Sequence, residues 1–211
     1  MLTLALTKGR ILDETLPLLA EAGIVPAEDI RASRKLIFAS NLPALRLLVL
    51  RGVDVPTYVR YGAADLGVAG KDCLLEYASD AYYEWLDLRL ARCRLMTAAA
   101  KGRTPITGRL RVATKYVRLA RQHYAAKGQQ ADIIQLYGGM ELAAVMNLAD
   151  EIVDIVDTGN TLEANGLEPL DLLADISSRL IVGRASLKLK HAELSTLLER
   201  IEQALKDRAD S

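Results

Sequence analysis

The run Asp154-Ile155-Val156-Asp157-Thr158-Gly159-Asn160-Thr161-Leu162 gathers carboxylates, hydroxyls and a glycine in one short stretch. An apolar strand ends in acids and breaks into a small turn, and Thr161-Leu162-Glu163-Ala164-Asn165 behind it has helical composition. A turn at a helix N-terminus offers unpaired backbone N–H groups and the positive end of the helix dipole. With the Thr158 and Thr161 hydroxyls added, that is a site for a phosphate monoester. Gly159 allows positive φ and a close backbone approach to the ligand, and Asn160 continues the turn. Asp154 and Asp157 suit ribose hydroxyls, so the chemistry indicated is recognition of a phosphoribosyl group. The two acids are three residues apart, whereas a strand alternates faces with period two. They face one ribose only if the strand ends between them. Turns of this composition also serve as ordinary helix starts, with Thr as N-cap.

Composition narrows the classes. The chain has 211 residues, 51% of them hydrophobic, enough for one large domain or two small ones. Its 27 basic and 27 acidic residues leave no surplus charge to drive nucleic-acid binding. No apolar run approaches membrane-spanning length, so no membrane partner is expected. Met1 leads straight into a strand-like run without a signal peptide. Cys73 and Cys93 lack paired spacing and read as reduced thiols of a cytoplasmic protein. The two histidines, His123 and His191, sit in charged helical contexts, which argues against a His-based metal site or a Ser-His-Asp triad.

The elements that must position these residues follow from periodicity. Strands are expected at 2–6, 36–39, 64–69, 93–99, 110–114, 132–136, 151–156, 170–176 and 180–182, with another apolar segment at 44–50. Helices are expected at 11–22, after Val55-Pro56, from Cys73, at 117–126, at 141–148 and, long and amphipathic, at 187–205. Pro17 fits the first helix only in its first turn, where a missing N–H does little harm. Leu189, Leu194, Leu197, Leu198, Ile201 and Leu205 form a packing stripe. Residues 101–108 form a polar loop. Alternating strands and helices predict an α/β fold with parallel strands.

Several segments then coincide with one family. They are Lys8-Gly9-Arg10, Arg51-Gly52-Val53-Asp54-Val55-Pro56, the run from Gly62 through Asp65 and Gly70 to Lys71-Asp72, Val112-Ala113-Thr114-Lys115-Tyr116, and the run from Ala149 to Leu162. Together the chain resembles the ATP phosphoribosyltransferases, in the short form that lacks a C-terminal histidine-binding domain. Val117 and Met140 stand where that family more often has other residues.

The resemblance implies two α/β lobes like those of type II periplasmic binding proteins, with the site in the cleft between them. Residues 1–91 plus 179–211 would form the first lobe and 92–178 the second. It implies condensation of ATP with 5-phosphoribosyl 1-pyrophosphate (PRPP), giving N1-(5-phosphoribosyl)-ATP and pyrophosphate. Other readings are a two-lobe solute-binding module and a phosphoribosyltransferase with another acceptor base. Mg²⁺ is implied, bound mainly through substrate phosphates, with no metal site on protein side chains.

Arg51, Lys8 and Arg10 would act in catalysis. Glu141, Asp154, Asp157, Thr158, Gly159, Asn160 and Thr161 would bind PRPP, and Lys8, Arg10, Arg34, Lys71 and Asp72 would bind ATP. Arg34 lies among Arg31 and Lys35, so it also reads as ordinary surface charge. Glu141 also reads as a helix-start acid, and Lys115 equally as ligand or surface lysine. The implied partners are a regulatory subunit resembling histidyl-tRNA synthetase and a second catalytic chain in a homodimer.

Overall fold

The computed structural model describes residues 1–104, 106 and 108–209. Pro105 and Thr107, in the expected polar loop, and Asp210 and Ser211, at the end of the expected first lobe, lie outside the described residues. The chain divides into two compact units, Met1–Ala91 with Ser177–Ser211, and Arg92–Ile176. The return to the first unit therefore falls at Ser177 rather than Arg179.

The first unit runs β1 (Leu2–Thr7), α1 (Arg10–Glu21), β2 (Ile37–Ala39), β3 (Leu45–Leu50), α2 (Val55–Arg60), β4 (Leu66–Gly70), α3 (Lys71–Tyr77) and β5 (Tyr82–Asp87). All of β1 and β4 is buried, as the apolar, small-residue sequence of a strand covered on both faces requires. The second unit runs β6 (Cys93–Ala100), β7 (Leu110–Thr114), α4 (Val117–Ala126), β8 (Ala131–Gln135), α5 (Met140–Val145), β9 (Glu151–Val156), α6 (Asn160–Ala164) and β10 (Leu167–Ile176). The chain then returns through β11 (Ser178–Gly183), α7 (Arg184–Leu189) and α8 (His191–Ala209).

The first sheet has the order β2-β3-β1-β4-β11-β5. Strands β3, β1 and β4 are parallel, while β2 and β11 run antiparallel to their neighbours. The second sheet is β10-β6-β9-β7-β8, parallel across β9, β7 and β8 and antiparallel at β6 and β10. The α/β class holds, but the expectation of parallel strands throughout does not. Each sheet has a parallel heart and antiparallel flanks. Strand β5 escapes sequence reading because Tyr-Tyr-Glu-Trp-Leu-Asp at a half-covered edge shows no apolar alternation.

Three local expectations are corrected. Pro17 lies inside α1, beyond the first turn. There it removes the N–H that would reach the Asp13 carbonyl, and Arg31 Nη2 lies 3.5 Å from that oxygen instead. The long C-terminal helix is two helices, because Lys190 leaves helical geometry at φ −130°, ψ 36°. Leu189, expected in the packing stripe, is consequently 82% exposed, while Leu194, Leu197, Leu198 and Ile201 are buried.

The break coincides with a tether at Lys190. Its Nζ donates to Asp65 Oδ1 at 2.8 Å and to the Met1 carbonyl at 3.2 Å. Buried Asp65 also accepts the Thr3 N–H on Oδ2 at 2.9 Å and donates its own N–H to the Thr3 carbonyl at 2.9 Å. Its carbonyl accepts the Gly183 N–H at 2.9 Å. One residue thus joins β1, the entry to β4, the end of β11 and the start of α8. Asp65→Ala orphans the Thr3 N–H and is expected to cost about 1–3 kcal/mol. Lys190→Ala is also expected to cost stability, because it leaves the buried Asp65 Oδ1 without its donor. Urea unfolding midpoints check both variants, and an unchanged midpoint for either would contradict the tether.

Candidate active site

The second unit builds its site at the C-terminal ends of its three parallel strands. Strand β9 is anchored at its start, where buried Glu151 accepts the Tyr124 hydroxyl at 2.5 Å and a donor from Arg103. It stops at Val156, so Asp157 is already off the strand. This resolves the spacing problem, since Asp157 is freed from the alternation that constrains Asp154. Gly159 follows at φ 88°, ψ −6° and heads α6. A Cβ there would meet nothing within 4 Å, so it is the dihedral rather than space that calls for glycine.

Thr158 Oγ1 accepts the Asn160 N–H at 3.4 Å. Thr161 is exposed, and its hydroxyl has no partner among the described residues. The first N–H groups of α6 have no intrahelical acceptor, as at any helix start. Glu163, an acid in the same first turn, lies 3.7 Å from Lys101 with both ends exposed.

Asp154 is the electrostatic centre of this half. Its Oδ1 accepts the Ile155 N–H at 2.8 Å and lies 3.5 Å from Lys115 Nζ. Burial raises its pKa, Lys115 and the Ile155 N–H oppose that, and the charge of Glu141 pushes it up further. Lys115 is therefore more than a surface lysine: it pairs with Asp154 and lies 4.8 Å from the Tyr116 ring centroid. Glu141 enters from the first turn of α5, behind Gly139 at φ 62°. Met140 is fully buried in the core of this unit. Two carboxylates against one lysine make a site that accepts hydrogen bonds, which suits ribose hydroxyls, next to a turn that donates them.

The first unit carries cations on the ends of its own parallel strands, where α/β folds place ligands. Lys8 and Gly9, at φ 85°, link β1 to α1. Lys8, Arg31, Arg34 and Lys35 line one groove of about 510 Å³. Lys8 and Arg34 are exposed, with no side-chain partner among the described residues. Arg10 is held by Glu14 at 2.8 Å. The Glu14 carboxylate also accepts the Ala91 N–H at 2.7 Å, and these two contacts, the Ala91 bond first, lower its pKa.

Arg51 follows β3, exposed and outside the groove lining, with no side-chain partner among the described residues. Lys71, first residue of α3, is paired with Glu84 at 2.6 Å and so is already neutralised. Asp72 packs under Gly70, where a Cβ would sit 2.2 Å from its Oδ1. The fold thus brings Lys8 and Arg34 together and leaves Lys71 and Asp72 on a separate helix start. Arg31 and Lys35 are the groove residues that sequence reasoning passed over as surface charge. The available signal was the acids Glu28 and Asp29 just before them; Asp13 is brought near only by folding.

Two α/β units, each a mixed sheet with ligand-facing loops at its parallel strand ends, define a class shared by binding proteins and transferases. A probable amino-acid ABC transporter extracellular-binding protein from Bacillus subtilis superposes with TM-score 0.58 at 8% identity, over 99% of this chain and 92% of that one, a likeness of fold alone. The family model for HisG, ATP phosphoribosyltransferase, matches residues 51–203. The ATP phosphoribosyltransferase of Marinobacter nauticus is 62% identical over 100% of this chain and 98% of its own length, and that of Teredinibacter turnerae 64% over 98% and 97%. A chain of the ATP phosphoribosyl transferase (HisG:HisZ) complex from Thermotoga maritima superposes with TM-score 0.87 at 31% identity, covering 98% of this chain and 100% of that one. The chain belongs to the ATP phosphoribosyltransferase family and is a pentosyl-transferring enzyme.

A half-buried carboxylate whose pKa is raised costs stability, and the pH dependence follows. Because the folded pKa of Asp154 lies above the ordinary value of 3.8, its unfolded form ionises first as pH rises. Stability falls across the window from 3.8 to the raised folded value and stays lowered above it. Asp154→Asn removes that cost while keeping an acceptor for the Ile155 N–H. The variant is expected to melt above the parent at pH 7, with the gap closing as pH falls to 3.8. PRPP affinity should drop at least about tenfold, the loss of a hydrogen bond to a charged group. Thermal melts from pH 3.5 to 8 check this, and a variant that melts below the parent at neutral pH would contradict the burial cost.

Proposed function

We propose that the Asp157–Thr161 turn with Asp154 and Glu141 holds PRPP, and that Lys8, Arg10 and Arg34, with Lys71 and Asp72, hold ATP. The chain joins N1 of ATP to C1 of PRPP, the first step of histidine biosynthesis. The observation that carries the assignment is the turn itself: a glycine-headed helix start with an unpartnered threonine hydroxyl, following a half-buried carboxylate in sequence. The N1 electron pair forms the new bond to C1 as the C1–O bond breaks, and the electrons of that bond leave on pyrophosphate. Positive charge builds on the ribose while negative charge gathers on the leaving group. Positioning and fixed cations then supply the catalysis, with no covalent intermediate. Arg51, Lys8 and Arg10 are the groups assigned to the departing pyrophosphate, and an Arg fork suits its oxygens.

Mg²⁺ is the proposed cofactor, carried mainly on substrate phosphates. Among the described residues no group of three or more His, Cys, Asp or Glu is placed to hold a metal ion. Asp154 and Glu141 offer hard oxygens to an ion that takes its other ligands from substrate and water. When bound, the ion supplies neutralisation of the pyrophosphate charge. Cytoplasmic location and a catalytic homodimer belong to the same proposal. Among the described residues, no helix is long and apolar enough to cross a membrane.

The reading is tested by pyrophosphate release from the purified chain with PRPP and ATP, set against other bases as acceptors. No release with ATP, or a preference for another base, would sink it. Thr161→Val keeps shape and removes one hydroxyl, and should weaken PRPP binding by about 1–3 kcal/mol, the range for a hydrogen bond to a charged group. Unchanged PRPP affinity would remove the turn from the site.

Control is proposed to come from a regulatory subunit. A solved chain that covers 98% of this one comes from a HisG:HisZ complex. Histidine should therefore leave the isolated chain unaffected and inhibit only once the partner is added. Calorimetric titration of histidine into the chain alone, beside activity assays with and without partner, decides this. Micromolar histidine binding in the partner's absence would overturn it.

A further inference from the structure

The groove of the first unit is lined by four cations, and their partners divide them into two kinds. Arg31 Nε donates to Asp13 Oδ1 at 2.6 Å, and its Nη2 reaches toward the Asp13 carbonyl that Pro17 leaves without a helical donor. The Arg31 N–H is itself held by Asp29 Oδ1 at 2.9 Å. Lys35 Nζ donates to both Glu28 oxygens, at 2.8 and 3.0 Å, closing residues 28–35 into a loop. Buried Ile30 roots that loop in the core of the unit. Between these fastenings stands Arg34, exposed and with no partner among the described residues.

We infer that Arg31, through Asp13 and the carbonyl freed by Pro17, is a positioning residue that holds Arg34 over the groove, and that it does not contact phosphate itself. The inference rests on the proposed role of Lys8 and Arg34 as ATP-phosphate ligands. The physical reason is charge accounting. Arg31 and Lys35 arrive neutralised by Asp13 and Glu28, so drawing either onto phosphate would strand a carboxylate facing the same anion. Lys8 and Arg34 carry no such debt. Pro17 is what makes the anchor two-pronged: an unbroken α1 would engage the Asp13 carbonyl internally, leaving Arg31 only an exposed ion pair.

The two possible roles of Arg31 predict opposite signs for one substitution. If Arg31 positions Arg34, Asp13→Ala unfastens the loop and the KM for ATP rises. If Arg31 binds phosphate, Asp13→Ala frees it and removes a repulsive carboxylate, so the KM falls. We expect Asp13→Ala and Arg31→Ala each to raise the ATP KM about 2- to 5-fold, the scale of a partly exposed ion pair. The KM for PRPP should not change.

The double-mutant cycle completes the test. In an Arg34→Ala background, Arg31→Ala should add nothing, because there is no longer an arginine to position. A fall in ATP KM for Asp13→Ala, no effect of Arg31→Ala, or additive effects of Arg31→Ala and Arg34→Ala each overturns the inference. Arg34→Ala alone reports on the underlying reading: if it leaves ATP kinetics untouched, the groove is not the ATP-phosphate site and the inference falls with it. Melting temperatures of all variants, compared with the parent, separate a loosened loop from a lost fold.

Discussion

Asp65 is where the first unit is tied shut. Its backbone and carboxylate together meet Thr3, Gly183 and Lys190, residues contributed by the beginning and the end of the chain. Without β11 the first sheet lacks the strand between β4 and β5, and without α8 one face of its core, which includes Leu194, Leu198 and Ile201, is bare. The second unit is therefore an excursion that leaves the first at Ala91 and must come back at Ser177. A buried carboxylate with a donor on each oxygen marks where it lands. Sheet geometry then places Lys8, Arg51 and Lys71 at the ends of β1, β3 and β4, because parallel strands end on the same side.

The two units solve opposite electrostatic problems with similar architecture. In the proposed reading the second unit accepts hydrogen bonds from sugar hydroxyls and donates them to a phosphate. It offers a carboxylate that burial keeps reluctant to ionise, one lysine opposite, and a turn of backbone N–H groups. In the same reading the first unit meets triphosphate or pyrophosphate charge. There, Arg10, Arg31, Lys35 and Lys71 are each paired with an acid, Glu14, Asp13, Glu28 and Glu84 respectively. Among the cations at the strand ends and in the groove, Lys8, Arg34 and Arg51 have no side-chain partner among the described residues. A balanced overall composition is compatible with local anion sites because the balance is struck pair by pair.

Much of this was legible in residue order. The strand at 151–156 and the helix at 117–126 fall where periodicity puts them, since both rely on local apolar spacing. The Asp-Thr-Gly-Asn-Thr turn could be read because backbone dihedrals and helix starts are properties of a few adjacent residues. Elements at the edges of sheets were less legible. Strand β5 is half solvated, and its pairing with β11 joins segments roughly a hundred residues apart in sequence. Pro17 was misplaced for a similar reason: what makes it tolerable in mid-helix is a donor from Arg31, outside the helix.

By itself, the sequence determined the α/β class, the glycine turn at 157–161 and the family whose motifs it carries, and the resemblance to that family implied the excursion of the middle segment. The class and the turn depend on composition, period and short-range stereochemistry. Tertiary structure alone decided which charges remain available. That Arg31 is paired with Asp13, Lys115 with Asp154 and Lys71 with Glu84 depends on partners brought near by folding. An ion pair is a matter of a few ångströms, and spacing along the chain does not set distances of that kind between elements.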